Sequence, residues 1–551
     1  MMLGDNMQIL AVIPARGGSK GIPRKNIRLM NGKPLISYAI KNALHSKFIT
    51  HVVVSTDSVE IAEISKQYGA RVVMRGEELS SDMVTLDPVI FDGMLKAEST
   101  EKTAFDYVIT MQPTSPLLSV ETLDKGIAYC IEGGYDTVIS SVNKPHLSWG
   151  INEGHVFPMY KERKNRQELP AQFFETGAFV VAKRNVVTRN SRIGQSVSVF
   201  EMPENESIDI DSKEDWVLAE SIMRRKKIIL RADGYKKLGM GHIYNCITMA
   251  YNLIAHDIVI VTKMDADIGL RKIKETNLPY HVIKDDEDLF NFISEFKPDI
   301  FVNDCLNSNR DYIVKLKSIV DRVVSIEDLG TGAEEADAVI NALYDDEKSA
   351  SNTYSGYKYV CLRDEFLLSA PNKWSSDVRN VLIMFGGTDP ANLNKMLYKI
   401  VEKISDKYGG INFSFITGIG YDNEGNGVIS QPEKNIYVYP NVPNVTKFMK
   451  DADLAITSQG RTIFELAAMG IPAIVLSQNK RENTHKFAQM ENGFLNLGMG
   501  SIVDERVVEN TVDWLINTPE IRRNMYDLMT SLDLRSGVKR VVKIILGDQD
   551  E

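Results

Sequence analysis

The chain has 551 residues and a net charge of −10, and 43% of its residues are apolar. This length predicts two or three domains, and the acidic balance excludes a broad nucleic-acid-binding face. The four cysteines lie far apart without metal-binding spacing, and no apolar run is long enough for a signal peptide or a membrane span. We therefore expect a cytoplasmic protein with reduced thiols, no membrane insertion and no nucleic-acid partner.

Strand-like and helix-like segments alternate over the first 225 residues. Buried strands are predicted at residues 8–13, 51–55, 71–74, 107–111 and 136–140. Helices are predicted at residues 34–46, 58–68, 86–98, 120–132 and 212–225. Such alternation is typical of a mainly parallel sheet with helices on both faces, and residues 145–205 are expected to add β-hairpins over it.

Two further α/β series follow, the first from Lys227 and the second from Val381. After KIILRAD, strands of the first series are predicted at residues 257–262, 299–303, 321–326 and 337–341. After VLIMFGGT, strands of the second series are predicted at residues 411–416, 453–456 and 472–476. Residues 367–378 have the composition of a linker. The fold is therefore expected to be α/β throughout, with domains at residues 1–226, 227–372 and 373–551.

A glycine-rich, basic loop follows the first predicted strand, with the sequence IPARGGSKGIPRKN at residues 13–26. Gly17, Gly18 and Gly21 let the backbone turn its N–H groups toward a ligand without clashes from Cβ atoms. The cations of the loop are Arg16, Lys20, Arg24 and Lys25. Because the protein as a whole is acidic, this local positive charge predicts a site for a phosphate chain. The alternative is a solvated turn with ordinary basic residues.

A second loop, QPTSP, follows the predicted strand at residues 107–111 and leaves the same edge of the sheet. Gln112, Thr114 and Ser115 offer neutral hydrogen-bonding groups on a backbone that two prolines stiffen, which suits a polar, hydroxyl-rich ligand. The segment taken alone is equally consistent with a well-made turn.

Two carboxylates, Asp209 and Asp211, lie two residues apart in the segment SIDID. If this segment is a strand, both side chains face one side and can share one cation such as Mg²⁺. The structural alternative is that Asp211 caps the helix at residues 212–225, with Glu214 completing a capping box. Asp209 has no such alternative, so the pair favours a metal site in the domain that carries the phosphate loop.

Seven segments, in this order, give residues 7–225 a family resemblance. They are IPARGGSKGIPRKN, NGKPLISYAI, VVVSTD, YGARVV, MQPTSPL, QELP and SIDID. Together they resemble the acylneuraminate cytidylyltransferase (CMP-sialic acid synthetase) family. The resemblance implies a Rossmann-like nucleotidyltransferase domain that transfers CMP from CTP and releases pyrophosphate. The implied acceptor is the anomeric hydroxyl of a nonulosonic acid of the neuraminic, legionaminic or pseudaminic type.

The same resemblance implies roles for individual residues. Nucleotide contacts fall to Ala15, Arg16, Gly17, Gly18, Ser19, Lys20, Asn26 and Arg75. Contacts with the sugar acid fall to Gln112, Thr114 and Ser115. The implied catalytic residues are Arg16, Lys20, Asp209 and Asp211, of which the two carboxylates hold Mg²⁺. Members of the family are commonly dimers, so a homodimer or higher homo-oligomer is expected.

Two positions near the expected sugar acid depart from the family pattern. Leu118 stands where the family usually has an arginine, and Thr176 stands where it usually has an asparagine before the Gly-Ala pair. Both departures concern the identity of the sugar acid more than the reaction.

The second half of the chain also places glycine-containing loops after predicted strands. Its GMGH segment puts His242 at the start of a helix, where an imidazole can serve as a general base near neutral pH. A structural histidine within the turn is the alternative. The segments GGT (386–388) and SQGRT (458–462) follow two later strands, and the second leads into a helix that carries Glu465. Helix starts of this kind bind diphosphate, and a nearby carboxylate can hold ribose hydroxyls.

These loops make residues 227–548 resemble a two-lobed nucleotide-sugar fold of the GT-B type. The specific likeness is to the UDP-sugar hydrolase of pseudaminic acid biosynthesis and its spore-coat polysaccharide relatives. It implies that His242 is catalytic and activates water, and that Asn483 contacts the substrate. It implies UDP contacts by Gly387, Thr388, Ser458, Gly460 and Glu465. Gln459 and Arg461 depart from the small residues that the family has in its diphosphate loop.

The sequence thus predicts a bifunctional nucleotide-sugar enzyme with Mg²⁺ as its cofactor. The first half is expected to use CTP and a nonulosonic acid, and the second half to hydrolyse a UDP-linked amino sugar. The alternative is a cytidylyltransferase fused to a glycosyltransferase or to a non-catalytic nucleotide-sugar-binding module.

Overall fold

The computed structural model describes residues 7–18, 21–81, 83–235, 239–344, 351–418, 420–442 and 444–548. The chain forms two compact units, Met1–Arg225 and Lys226–Glu551. Within the described ranges, no helix is long and apolar enough to cross a lipid bilayer. All four cysteines are free thiols, and those of Cys130 and Cys246 are buried.

The first unit is a sheet covered by helices. Its strands are β1 (Ile9–Pro14), β2 (Leu29–Met30), β3 (Lys33–Pro34), β4 (His51–Thr56), β5 (Arg71–Met74), β6 (Tyr107–Met111), β7 (Thr137–Asn143), β8 (Trp149–Asn152), β9 (His155–Pro158), β10 (Phe173–Lys183) and β11 (Val197–Glu201). Its helices are α1 (Ile36–His45), α2 (Val59–Gln67), α3 (Leu86–Glu101), α4 (Val120–Glu132) and α5 (Lys213–Met223). Seven strands form one sheet in the order β11-β7-β10-β6-β1-β4-β5.

This sheet is mainly parallel, as the alternation of segments predicts. Only β10 runs antiparallel to its neighbours, β6 and β7. The central strands β1 and β6 are buried at every residue because helices cover both faces of the sheet. Ile40 of α1 and Ile127 of α4 pack on one face, and Ile90 and Met94 of α3 pack on the other. The loops that follow β1, β4 and β6 therefore leave from one edge of the sheet.

The second unit contains two sheets of parallel strands. The strands of its N-lobe are β12 (Lys227–Ala232), β13 (Asp257–Lys263), β14 (Tyr280–Ile283), β15 (Ile300–Asp304), β16 (Arg322–Ile326), β17 (Ala338–Asn341) and β18 (Thr353–Ser355). Those of its C-lobe are β19 (Asn380–Met384), β20 (Asn412–Thr417), β21 (Ile436–Pro440), β22 (Leu454–Thr457), β23 (Ala473–Ser477) and β24 (Phe494–Met499). The sheet orders are β14-β13-β12-β15-β16-β17-β18 and β21-β20-β19-β22-β23-β24.

Helices complete the two lobes. They are α6 (Gly241–Asn252), α7 (Asp267–Lys274), α8 (Asp286–Phe296), α9 (Arg310–Lys317), α10 (Asp364–Leu367), α11 (Leu393–Ile404), α12 (Asn423–Asn426), α13 (Thr446–Asp451), α14 (Thr462–Met469), α15 (Glu505–Asn517), α16 (Pro519–Thr530) and α17 (Gly537–Leu546). The last helix, α17, returns to the N-lobe, where Val541 and Ile545 join its core. The second unit therefore has the two-lobed, GT-B-like α/β architecture that its resemblance implies.

Two details of the sequence interpretation are wrong. The segment SIDID is not a strand, since residues 207–211 form no ladder with a neighbour. The cap of α5 is Ser212, whose hydroxyl accepts from the Asp215 N–H, and Asp215 completes the capping box. Asp211 and Glu214 therefore do not form the cap. The serine takes this position because it directly precedes the first helical residue.

Candidate active sites

The glycine-rich loop of the first unit is attached to the end of the neighbouring strand β4. The Ala15 N–H donates to the Ser55 carbonyl at 2.9 Å, and the Gly17 N–H donates to Asp57 Oδ1 at 2.8 Å. From within the same loop, Asn26 Nδ2 donates to the Arg16 carbonyl at 3.0 Å. Asn26 thus shapes the loop from its buried side, while Gly17 and Gly18 are exposed. Ser19 and Lys20 lie outside the described residues.

A buried arginine stands beside this loop. The side chain of Arg75 is 4% exposed, and its Nη2 lies 3.9 Å from Asp57 Oδ1. Burial lowers the pKa of Arg75, Asp57 opposes this, and the positive charge of Arg16 lowers it further. Arg75 Nε has no hydrogen-bond partner among the described residues. Two guanidinium groups near each other in a protein of negative net charge are suited to an anion such as a phosphate chain.

The other two described cations of the loop serve protein contacts. Arg24 pairs with Glu60 at 3.1 Å, and both side chains are exposed. Lys25 Nζ donates to the Ile210 carbonyl at 2.7 Å and lies 3.5 Å from Asp211 Oδ1. Lys25 therefore connects the loop to the segment that carries the two carboxylates.

A glycine allows the same connection. A Cβ at Gly21 would lie 2.6 Å from the Asp211 carbonyl oxygen, a distance that real Cβ atoms do not reach. Gly21 is therefore required by the close approach of two backbone segments. This contact brings the predicted phosphate loop next to the predicted metal ligands.

The side chains of Gln112 and Asp209 meet over Gly177. A Cβ at this glycine, whose φ is +70°, would lie 2.9 Å from Gln112 Nε2 and 3.2 Å from Asp209 Oδ2. Asp209 Oδ1 and the hydroxyl groups of Thr114 and Ser115 are buried and have no hydrogen-bond partner among the described residues. A buried polar atom without a partner is costly, so this group of atoms is suited to a ligand that completes it.

The pKa of Asp209 also indicates that this group of atoms is suited to a ligand. Burial raises its pKa, and the negative charge of Asp211 raises it further. The Thr114 hydroxyl lies near enough to lower the pKa in part, although its geometry is too poor for a hydrogen bond. An ionised carboxylate in this environment needs a cation or a hydrogen-bond donor nearby.

The donor set fits Mg²⁺ only in part. Asp209 Oδ1 is a buried oxygen without a partner, whereas the Asp211 side chain is 80% exposed and lies beside Lys25. In the part of the chain that the structure describes, no group of three or more His, Cys, Asp or Glu side chains could hold a metal ion. Two carboxylates suffice for Mg²⁺ when oxygens of a phosphate substrate complete its shell.

Leu118 and Thr176, the two residues that depart from the family pattern, both have buried side chains. Leu118 is buried in the main core of the unit. The Thr176 hydroxyl is buried and lies 2.8 Å from the Ser140 hydroxyl. Leu118 has no polar side-chain atom, and the Thr176 hydroxyl is already engaged within the protein.

The second unit has a cleft of about 580 Å³ between its two lobes, a size typical of small-molecule sites. The predicted residues that line it are His242, Gly387, Thr388, Ser458, Gly460 and Glu465. Gly387 and Gly418 meet at the C-lobe wall, where a Cβ on Gly418 would lie 2.3 Å from the Gly387 Cα. Asn483 is not among the lining residues, and its Oδ1 accepts from the Ser477 hydroxyl at 3.4 Å.

His242 is held by a carboxylate on the floor of this cleft. It is the second residue of α6, and its Nδ1 lies 2.6 Å from Oδ1 of Asp304, the last residue of β15. The other oxygen of Asp304 accepts from Asn245 Nδ2 at 2.6 Å. Since Nδ1 is engaged, Nε2 is the nitrogen that can accept a proton from a reacting hydroxyl. The arrangement is that of a general base oriented by a buried carboxylate.

Several residues in or beside the cleft escape prediction from the sequence. Arg363 Nε donates at 2.9 Å to Glu465, the carboxylate predicted to hold ribose. Glu327 follows β16 directly and is 2% exposed. Asp304, Asn245 and Arg363 likewise carry no motif. The one available signal is the polar pair Asn303–Asp304 at the end of an otherwise apolar strand, since ligands bind beyond the carboxyl ends of parallel strands.

Two models of known protein families match separate parts of the chain. Residues 10–228 match the family model described as Cytidylyltransferase. Residues 381–513 match the family model described as Glycosyltransferase family 28 C-terminal domain. The chain thus combines a cytidylyltransferase unit with a glycosyltransferase-like C-lobe.

Two relatives are matched over almost their whole length. Post-translational flagellin modification protein B of Campylobacter coli is 32% identical over 228 residues, which are 40% of this chain and 97% of that protein. The CMP-N,N'-diacetyllegionaminic acid synthase of Legionella pneumophila is 34% identical over 227 residues, which are 39% of this chain and 97% of that protein. The chain belongs to the cytidylyltransferase family.

Another relative is longer than the matched region. An uncharacterized protein of Methanocaldococcus jannaschii is 32% identical over 278 residues, which are 46% of this chain and 56% of that protein. The chain spans about half the length of this relative.

Proposed function

We propose that the first unit transfers CMP from CTP to a sialic-acid-like nonulosonic acid and releases pyrophosphate. The observation that carries this proposal is a set of buried groups without partners among the described residues, those of Asp209, Thr114 and Ser115. They lie near the loop that carries Arg16 and near Arg75, which stands beside that loop. A triphosphate is the anion that such a loop suits, and a hydroxyl-rich acid supplies partners for the neutral groups. The synthase activity for which the Legionella relative is named supports the same reaction.

In the proposed reaction the anomeric hydroxyl attacks the α-phosphorus of CTP, and the bond to the β-phosphate oxygen breaks. Arg16, Arg75 and the loop N–H groups offset the charge on the transferred group and on the leaving pyrophosphate. Asp209 and Asp211 would hold Mg²⁺, which supplies further charge neutralisation when bound. Gln112, Thr114 and Ser115 orient the sugar acid, because alignment matters more than covalent help in phosphoryl transfer.

Pyrophosphate release from CTP tests this proposal. The full chain is incubated with CTP, Mg²⁺ and, in separate reactions, N-acetylneuraminic, legionaminic and pseudaminic acid. We expect release with at least one of these acids. If none of the acids gives pyrophosphate above the acid-free control, the proposal is wrong.

For the second unit, we propose cleavage of the bond between a nucleotide diphosphate and an amino sugar, with His242 as the general base. The bonded series His242, Asp304 and Asn245 supports this, because it orients an imidazole toward a cleft of suitable volume. In the first version water is the attacking group, and the unit is a UDP-sugar hydrolase. The loops of Gly387, Thr388, Ser458 and Gly460 then hold the diphosphate.

A glycosyltransferase is the second candidate, and the match to the family 28 C-terminal domain favours it. The same base can deprotonate a sugar hydroxyl instead of water, so the geometry of His242 serves both reactions. The full chain is therefore incubated with UDP-N-acetyl sugars, with and without glycan acceptors. Free sugar without an acceptor supports the hydrolase, and acceptor-dependent turnover supports the transferase. Binding without turnover in either reaction means a binding module and overturns both.

We also propose a homodimer formed through an apolar surface of the first unit. The surface consists of the β8–β9 hairpin and the start of β10. Its exposed apolar residues are Trp149, Ile151, Val156, Phe157, Met159, Phe173 and Phe174. Apolar patches of this kind mark interaction sites. Light scattering should give twice the chain mass, and Phe173→Ser with Phe174→Ser should reduce it to one chain mass.

A cytoplasmic location is part of the same proposal. Cys130, Cys246, Cys305 and Cys361 are free thiols. Thiols persist in a reducing compartment, and CTP and UDP-sugars are used there. Cell fractionation with an antibody against the chain tests this location, and recovery in the membrane or extracellular fraction would contradict it.

A further inference from the structure

Arg461 connects the two lobes at the floor of the cleft. It directly follows Ser458–Gly460, the predicted diphosphate loop of the C-lobe. Its Nη1 donates to Asn245 Oδ1 at 3.1 Å, and its Nη2 donates to Glu327 Oε1 at 3.2 Å. Both acceptors belong to the N-lobe. One planar guanidinium therefore makes two bonds across the cleft, in a geometry that lysine cannot reproduce.

Asn245 extends this connection to the general base. Its amide oxygen faces Arg461, which can only donate, and its amide nitrogen faces Asp304, which can only accept when ionised. The two neighbours therefore permit a single orientation of the amide group. Asp304 in turn holds His242 Nδ1 at 2.6 Å. A continuous series of hydrogen bonds runs from the C-lobe guanidinium to the imidazole.

Glu327 fixes the other end of the guanidinium. Its backbone lies in the left-handed region with φ 53°, which is unusual for a residue other than glycine. Burial raises the pKa of this carboxyl group, and the charge of Arg461 opposes the rise. Oε2 has no hydrogen bond of good geometry among the described residues, although the Leu343 N–H lies near enough to lower the pKa. A buried carboxylate with a costly backbone is retained where it orients another group.

A second arginine of the C-lobe meets the same residue. Arg481 Nη2 donates to the Glu327 carbonyl at 2.9 Å, and its Nη1 donates to Asn307 Oδ1 at 3.0 Å. Glu327 is thus bonded to the C-lobe through both its side chain and its backbone. Hydrogen bonds to the N-lobe residues Asn245 and Glu327 fix the position of the Arg461 guanidinium.

We propose that Arg461 is a positioning residue that orients the His242–Asp304 pair through Asn245. The inference rests on the proposed role of His242 as the general base. Arg461 belongs to the same segment as Ser458 and Gly460, which are predicted to hold the diphosphate, so the residue that orients the base is carried by the segment that holds the leaving group.

Two measurements on the full-length chain test this inference. The first follows the imidazole resonances of His242 by NMR on histidine-labelled protein, with His242→Ala used to assign them among the 8 histidines. Arg461→Gln should move these resonances, because the amide of Asn245 loses its donor. The matched control is Arg310→Gln, which removes a surface ion pair with Glu335 in the N-lobe, the lobe of His242, and should leave these resonances in place.

The second measurement is steady-state cleavage of UDP-N-acetylglucosamine and UDP-N-acetylgalactosamine. Arg461→Gln should lower kcat by about 10- to 100-fold and change KM by less than about threefold, because the base is misoriented while the diphosphate loop remains. Arg461→Lys should not restore kcat. Asn245→Ala combined with Arg461→Gln should lose no more than Asn245→Ala alone, since the two residues act in one series.

The outcomes separate the inference from the proposed function. If Arg461→Gln leaves the His242 resonances unmoved, or if Lys restores kcat fully, the inference is overturned. An additive double variant, or an equal loss of kcat and UDP affinity, overturns it as well, since these indicate general damage to the cleft. If the resonances move as expected while the wild type cleaves neither sugar nucleotide, with or without a glycan acceptor, Arg461 positions His242 and the proposed reaction is wrong.

Discussion

The two candidate sites differ in how far their central polar side chains are hydrogen-bonded within the protein. In the first unit, Asp209 Oδ1 and the hydroxyl groups of Thr114 and Ser115 lack partners among the described residues. In the second unit, His242 Nδ1 belongs to a continuous bonded series that runs through Asp304 and Asn245 to Arg461 and Glu327. The first site is therefore built to be completed by its ligands, whereas the second is organised before a ligand arrives.

The largest expected effect comes from the unpartnered carboxylate. Asp209→Ala should reduce CMP transfer on the order of 10³-fold, because the site loses a carboxylate that would hold Mg²⁺ and, with it, the charge neutralisation that the ion would supply to the phosphates. Pyrophosphate release measures this loss. Cleavage of UDP-sugars by the same variant should be unchanged. If the folded variant lost both activities, the two sites would not be independent.

The reciprocal variant acts on the organised site. His242→Ala should reduce cleavage of UDP-sugars by roughly 10²-fold or more, since the attacking hydroxyl loses its general base. Release of free sugar or transfer to an acceptor measures the loss, and CMP transfer by the same preparation serves as the control. Full retention of UDP-sugar cleavage would show that the imidazole has a structural role only.

A smaller effect is expected at the paired guanidinium groups. Arg75→Gln should lower kcat/KM for CTP by about 10- to 100-fold, because a charge-assisted bond to the phosphate chain is lost. The matched control is Arg71→Gln, which removes the ion pair between an exposed arginine at the start of β5 and Glu101, whose side chain is 12% exposed. Equal values of kcat/KM in the two variants would exclude Arg75 from the nucleotide site.

The smallest expected effect is on the thermal stability of the first unit. The sign of the change in Tm shows whether Asp209 lacks a partner in the ligand-free protein. Burial raises the pKa of Asp209, so the folded chain binds its proton more tightly than the unfolded chain does. Ionised Asp209 then destabilises the ligand-free fold at neutral pH. Asp209→Asn should raise the Tm of the first unit's transition by up to a few degrees at pH 7 to 8.

This difference in Tm should shrink as the pH falls through the raised pKa, because the wild-type carboxyl becomes neutral as well. Calorimetry over a series of pH values measures it. A variant that is less stable than the wild type at pH 7 to 8 would mean that Asp209 already has a stabilising partner in the free protein.

Much of the first unit can be predicted from local sequence. The helix predicted at residues 120–132 and the strands predicted at 71–74 and 107–111 agree with α4, β5 and β6. The missed strands of the second unit, β14, β18, β21 and β24, carry intermediate or exposed residues. All four are outer strands of their sheets. Outer strands lack the continuous apolar run that identifies a buried strand.

The sequence by itself determined the alternating α/β architecture, the glycine-rich loop and the carboxylate pair, because these depend on local spacing of apolar, glycine and charged residues. Only the tertiary structure decided which side chains meet. Asp304 reaches His242 across 62 residues of sequence, and Arg461 reaches Asn245 across 216. Contacts of this kind follow from the parallel packing of distant strands and from two lobes facing one cleft. No local pattern encodes them.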